Sequence, residues 1–177
     1  MSEVEFPISK PYELGRLSQA GAEVTIAPSP EELARIAGWA DIDRVETLSA
    51  HIELKKLSPT RYAFDAQLVA DIVQSCVVTL EPVRSHIERT FARDLLLTPL
   101  AHKATGPTEI DVAPVGEDGP EEIPSLRYDL AVPVLEELAL AIDPYPRAPG
   151  VAFEAPQDEA DSAVHPFAAL KQLKKPS

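Results

Sequence analysis

Between Ile42 and Leu97 apolar and polar residues alternate with a period of two, and this alternation constrains the fold more than any other feature of the chain. Leu48, Ala50, Ile52 and Leu54 alternate with Ser49, His51, Glu53 and Lys55. After a Ser-Pro-Thr turn, Tyr62, Phe64, Ala66, Leu68, Ala70 and Ile72 alternate with Arg61, Ala63, Asp65, Gln67, Val69 and Asp71. A third run sets Val83, Ser85, Ile87 and Phe91 against Arg84, His86, Glu88 and Thr90. Only extended backbone returns every second side chain to the same side. The pattern therefore predicts three long antiparallel strands with one buried and one wet face. A chain of 177 residues can bury one such core. The expected fold is α+β, an antiparallel β-meander that curls into a partial barrel, with one short N-terminal helix and one buried C-terminal helix.

The helices announce themselves through local chemistry. Ser29, Pro30 and Glu32 have the spacing of a capping box with proline at the first helical position, and Gly38 is the expected C-cap of a helix over 30–38. Leu33, Ile36 and Ala37 form its apolar face. YDLAVPVLEELALAID predicts the second helix, with Asp129 as N-cap and Pro133 confined to the first turn. Only Glu136 and Glu137 interrupt its apolar surface, so it should lie against the sheet. EVEFPI (3–8) and AEVTIA (22–27) read as short strands. Residues 103–127, rich in Pro, Gly and acidic groups, predict a mobile acidic loop with a short strand at EIDV. This organisation gives a single domain over 1–150, followed over 151–177 by an acidic linker and a short basic amphipathic tail. In that tail Phe167, Leu170 and Leu173 recur at i, i+3, i+6, with Lys171, Lys174 and Lys175 on the other sides, a pattern suited to docking on a partner.

Several function classes are disfavoured. The formal net charge is −13, and no basic residue lies between Lys103 and Arg127, whereas phosphate binding wants a basic face. The N-terminus lacks the basic start and apolar run of a secretory signal, and no stretch approaches membrane-span length, so a cytoplasmic location is expected. The glycines form no phosphate-cradling loop and there is no nucleophile elbow. Cys76 is the single cysteine. Catalysis would require a nearby base and zinc would require about four ligands, but His51 and His86 alternate onto the wet face. Cys76 is therefore expected to be a structural residue in the connection Gln74–Val83, held by packing of Val77, Leu80 and Val83. No catalytic residue, metal ligand or cofactor is expected. Of the paired carboxylates, Glu136 and Glu137 are candidates for facing a partner.

Three stretches occur in an order that resembles the YceD family of large ribosomal RNA subunit accumulation proteins. The first is QSCVVTLEPV, with Cys76, Leu80 and Pro82. The second is YDLAVPVLEELALAIDPYPRAPG, with Asp129, Leu130, Glu136, Leu140, Pro144 and Pro146. The third is HPFAALKQLK, with Pro166, Phe167, Ala168, Leu170 and Leu173. The resemblance implies a factor needed for accumulation of 23S ribosomal RNA, often encoded beside ribosomal protein L32. Many relatives carry a Cys-x-x-Cys knuckle at Cys76–Thr79 and a second cysteine pair beyond a Pro-x-x-Pro like Pro146–Pro149. Here Thr79 replaces the second cysteine and residues 150–160 supply none, so that metal site is expected to be absent. The resulting expectation is a non-enzymatic ribosome-biogenesis factor that contacts a ribosomal protein, L32 being one candidate, or a large-subunit assembly intermediate. Direct rRNA contact is disfavoured by charge. The alternative is an RNA-binding protein or rRNA-processing enzyme whose site forms only in the tertiary structure.

Overall fold

The alternating stretch folds as three long strands, β3 (Arg44–Lys56), β4 (Arg61–Ser75) and β5 (Pro82–Leu97), in a computed structural model that describes residues 6–98 and 119–151. The register stacks the apolar sets in rows, Leu48 beside Ala70 beside Ile87 and Ile52 beside Ala66 beside Phe91. All of these are buried, together with Leu54, Tyr62, Phe64, Leu68 and Ile72. Because the side-chain period is two, a one-residue slip would turn this whole set to water, so the hydrophobic pattern holds the register. The opposite face carries His51, Gln67, Glu88 and other polar side chains in solvent, as expected.

The sheet is wider than the meander. β2 (Ala22–Ile26) pairs antiparallel with β3, and β6 (Glu121–Ile123) pairs parallel with the end of β5, giving the order β2-β3-β4-β5-β6. It is an open, mostly antiparallel sheet rather than a closed barrel among the described residues. A separate two-stranded ribbon joins β1 (Pro11–Glu13) to β7 (Arg127–Asp129). The acidic loop expected over 103–127 thus needs correction at its end, where Glu121–Ile123 and Arg127 are strand residues. Backbone pairing with β5 and burial of Ile123 outweigh the poor local propensity. Residues 103–118 of that loop, including EIDV, lie outside the described residues, as do Val4 and the tail. Phe6, Pro7 and Ile8 do not form the expected strand. Phe6 instead sets its ring 5.8 Å from Trp39 and Ile8 is buried, so the alternation there plugs the core without a ladder.

α1 (Pro30–Trp39) begins with the expected capping box: the Glu32 N–H donates to Ser29 Oγ at 3.4 Å and the Ser29 N–H to Glu32 Oε2 at 2.8 Å. Ile36 and Ala37 are buried and Leu33 half-buried. Gly38 is not the C-cap. The helix continues past it to the Ala40 N–H, which donates to Ile36 O at 2.9 Å, and the left-handed residue is Asp41 (φ 52). Aspartate is among the few residues that tolerate that conformation. α2 (Ala131–Ala141) packs Val134, Leu135 and Leu138, all fully buried, onto the sheet, and Pro133 falls in its first turn. Its N-cap is Leu130 rather than Asp129, although the Asp129 carboxylate still accepts the Ala131 N–H at 2.9 Å.

Candidate functional site

The connection between β4 and β5 tightens into a turn over residues 76–81 that docks on the chain leaving α2. Inside the turn the Cys76 N–H donates to Glu81 O at 2.8 Å and the Leu80 N–H to Cys76 O at 2.9 Å. Across to the loop, the Val77 N–H donates to Pro146 O at 2.9 Å and Gln74 Nε2 to Asp143 O at 2.9 Å. The Cys76 sulfur is the centre of this junction. Fully buried, it accepts the Thr79 N–H at 3.5 Å and the Ala148 N–H at 3.3 Å. These donors, the Thr79 hydroxyl first and then the backbone N–H groups of Ala148, Thr79 and Val78, favour the thiolate and pull the thiol down to about 6 against the opposing effect of burial.

Thr79 therefore turns its N–H toward the sulfur while its hydroxyl donates to Glu81 Oε2 at 3.4 Å, and Ala148 donates to the sulfur from the second loop. The residues do not fit a zinc site. The junction offers one sulfur whose lone pairs already face N–H donors, and no three His, Cys, Asp or Glu side chains converge anywhere among the described residues. Among the described residues no histidine pairs with Cys76 either: His51 lies 4.0 Å from Glu23 and His86 Nδ1 lies 2.7 Å from Asp71, both on the wet face.

The expected packing of Val77 and Leu80 is overturned, since hydrogen bonds to sulfur and backbone hold the turn. Val77 and Val78 are exposed and Leu80 is 76 % exposed. Leu80 also adopts φ 61, a left-handed conformation unfavourable for a branched side chain. Leu140, in the last turn of α2, and Tyr145 beyond it are similarly open to solvent. Five of the six exposed large hydrophobics among the described residues thus lie in two segments that hydrogen-bond to each other, and only Leu57 stands elsewhere. Glu81, Glu136 and Asp143 are exposed in the same two segments and on the adjoining turn of α2. The two joined segments thus expose apolar side chains among acidic ones, a composition that can serve an interaction surface.

At the N-terminal end and middle of α2 polar groups close on one another in a clasp. Asp129 accepts from the Lys10 N–H at 2.7 Å and the Ser9 hydroxyl at 2.5 Å, fastening the N-terminal segment to the start of the helix. Glu137 pairs within the chain, where Arg93 Nη2 reaches it at 2.7 Å in a half-buried contact. Tyr128 donates its hydroxyl to Glu121 at 3.0 Å, and burial beside that carboxylate pushes its phenol above the ordinary range.

The structure accordingly divides the candidate residues. Cys76, Leu80 and Pro146 lie in the segments joined at the junction, where Pro146 is buried; exposed Leu140 stands in the last turn of α2 leading to it, Pro82 opens β5 and Pro144 lies in the facing loop. Glu136 is exposed on α2, Leu130 is core, and Asp129 and Glu137 belong to the clasp. Pro166, Phe167, Leu170, Lys171, Leu173 and Lys174 lie outside the described residues. Sequence reasoning missed Arg93, Val78, Tyr145 and Ala148 and read Val77 as packed; the apolar residues in a turn beside prolines were the one signal available.

Compared with known families, residues 64–174 match the model described as large ribosomal RNA subunit accumulation protein YceD. The match begins within β4 and takes in the turn, β5, α2 and the tail motif. No curated protein and no solved structure matches the chain.

Proposed function

Because the chain belongs to the YceD family, which ties it to accumulation of large-subunit ribosomal RNA, we propose that it is a non-enzymatic cytoplasmic ribosome-biogenesis factor. It supports 23S rRNA by contacting a basic large-subunit ribosomal protein, L32 being one candidate, or an assembly intermediate. The observation that carries this reading is the patch at the turn junction, above all Leu80. Its side chain is 76 % exposed at φ 61, so neither packing nor backbone preference within the described fold accounts for a leucine there. Apolar anchors supply affinity, and acidic neighbours favour a basic protein partner. Charge on the wet sheet face supports the same choice. Arg44 and Arg84 lie 2.9 and 3.4 Å from Glu46, Lys55 2.6 Å from Asp65, and Arg61 3.6 Å from Asp94, so these four cations share three carboxylates and offer phosphates little free charge.

The test is complementation of a deletion strain with the Leu80→Asp, Leu140→Asp double variant, whose exposed positions leave the core intact. Reduced 23S rRNA at normal protein abundance is the expected result, accompanied by loss of salt-sensitive binding to purified large-subunit proteins. Full accumulation, or tight binding to 23S fragments without binding to any ribosomal protein, would reject the proposal in favour of direct RNA binding.

A further inference from the structure

We infer that in the free protein the apolar patch at the turn junction is covered by the chain's own C-terminal segment, Pro166–Lys174, which a basic partner must displace. This inference rests on the proposed function for the meaning of displacement, but the docking stands on separate observations. The described fold ends at Val151, whose N–H donates to Ala148 O at 3.2 Å, and the neighbouring Ala148 N–H is itself bonded to Cys76 Sγ. The chain therefore departs from the edge of the patch. Residues 152–165 can span roughly 50 Å when extended and about 20 Å on average as a flexible chain, enough to return to it.

The two surfaces also complement each other. The patch offers Val77, Leu80, Leu140 and Tyr145 with carboxylates at Glu81, Glu136 and Asp143, and Arg147 is the opposing charge nearby. The segment supplies Phe167, Leu170 and Leu173 at i, i+3, i+6 with Lys171, Lys174 and Lys175 around them. Apolar anchors meeting apolar anchors inside a rim of opposite charge is the chemistry of a groove-bound amphipathic segment. Covalent linkage raises the local concentration of the segment to the millimolar range, so weak contacts suffice and a partner in trans can still compete. The basic tail thus imitates the basic partner class proposed for the same surface.

Zero-length carbodiimide coupling on the full chain tests this, because it joins lysines only to carboxylates in contact. Mixed ¹⁴N and ¹⁵N protein separates links within one chain from links between chains. The expected product is monomeric and of one isotope, with Lys171, Lys174 or Lys175 joined to Glu81, Glu136 or Asp143. Phe167→Asp and, independently, Leu80→Asp should each lower its yield by roughly tenfold, as expected when a large apolar side chain loses its burial. Links found solely to the acidic groups of 152–161, or yields unchanged in both variants, would overturn the inference. Mixed-isotope products would assign the patch to a second copy and overturn it as well. The outcome is separable from the proposed function: intact coupling with full 23S rRNA accumulation in Leu80→Asp, Leu140→Asp cells rejects the function alone, whereas absent coupling with lost accumulation rejects self-docking alone.

Discussion

The two ends of α2 rest on the same buried body yet treat their surfaces in opposite ways. At the N-terminal end Asp129 and Tyr128, and at mid-helix Glu137 with Arg93, find partners within the chain. At the C-terminal end Leu140, Tyr145, Val77 and Leu80 stand in water although buried sulfur and backbone bonds hold the loops beneath them. Exposure there does not reflect loose structure. A rigid platform that presents apolar side chains loses less entropy on binding than a mobile one, which favours the C-terminal end for the proposed interface.

The largest expected effect comes from removing the body that both ends share. Leu138→Ala should cost about 3 kcal/mol, within the range for a fully buried leucine, and hydrogen exchange should rise together in 128–131 and 143–148. Exchange rising at one end alone would show that the ends are not carried by one unit.

Arg93→Ala comes next, leaving Glu137 half-buried and unpaired at an expected cost of about 1–2 kcal/mol in denaturant unfolding. Cells producing it at normal abundance should accumulate 23S rRNA normally. A loss of rRNA without a loss of stability would make the clasp end functional and erase the contrast.

The Cys76 junction predicts a pH signature. The folded thiol titrates near 6, below its ordinary value of 9.0, so the folded state favours the thiolate. Its contribution to stability is therefore complete above about pH 9 and is lost as pH falls through about 6. The melting-temperature gap between the natural chain and Cys76→Ala should widen from pH 6 to 9 and level off above. A gap independent of pH would mean that the sulfur is held by packing alone.

Leu80→Gly should have the smallest effect on folding and the sharpest on function. Relief of the left-handed backbone and the greater entropy of unfolded glycine oppose each other, so stability should stay within about 0.5 kcal/mol of the natural chain. Accumulation of 23S rRNA should nevertheless fall. Retained accumulation would remove the strongest reason for regarding the turn as an interface.

Legibility followed the length and regularity of each signal. The meander was readable because each of its strands is long, between 13 and 16 residues, and a repeated period leaves one register that buries the apolar set. Ser29 and Glu32 were readable because their bonds span three residues. The β1–β7 ribbon and β6 were not, since three-residue strands carry no period and their partners lie far along the chain. Gly38 misled because composition suggested a cap where the backbone placed Asp41 in the left-handed region.

The site was legible as a motif and illegible as a surface. QSCVVTLEPV and the α2 motif pointed to the family, and a lone cysteine facing Thr79 excluded the relatives' cysteine cluster, all from covalent identity. Whether Val77 and Leu80 face inward or outward could not be read locally, because an apolar residue in a turn packs or is exposed according to what distant chain lies beside it. Folding answers by placing Pro146 and Ala148 over Cys76, some 70 residues away, so that hydrogen bonds take over the hold on the turn. Short-range chemistry thus specifies strands, caps and family, while long-range contacts choose which apolar side chains stay exposed.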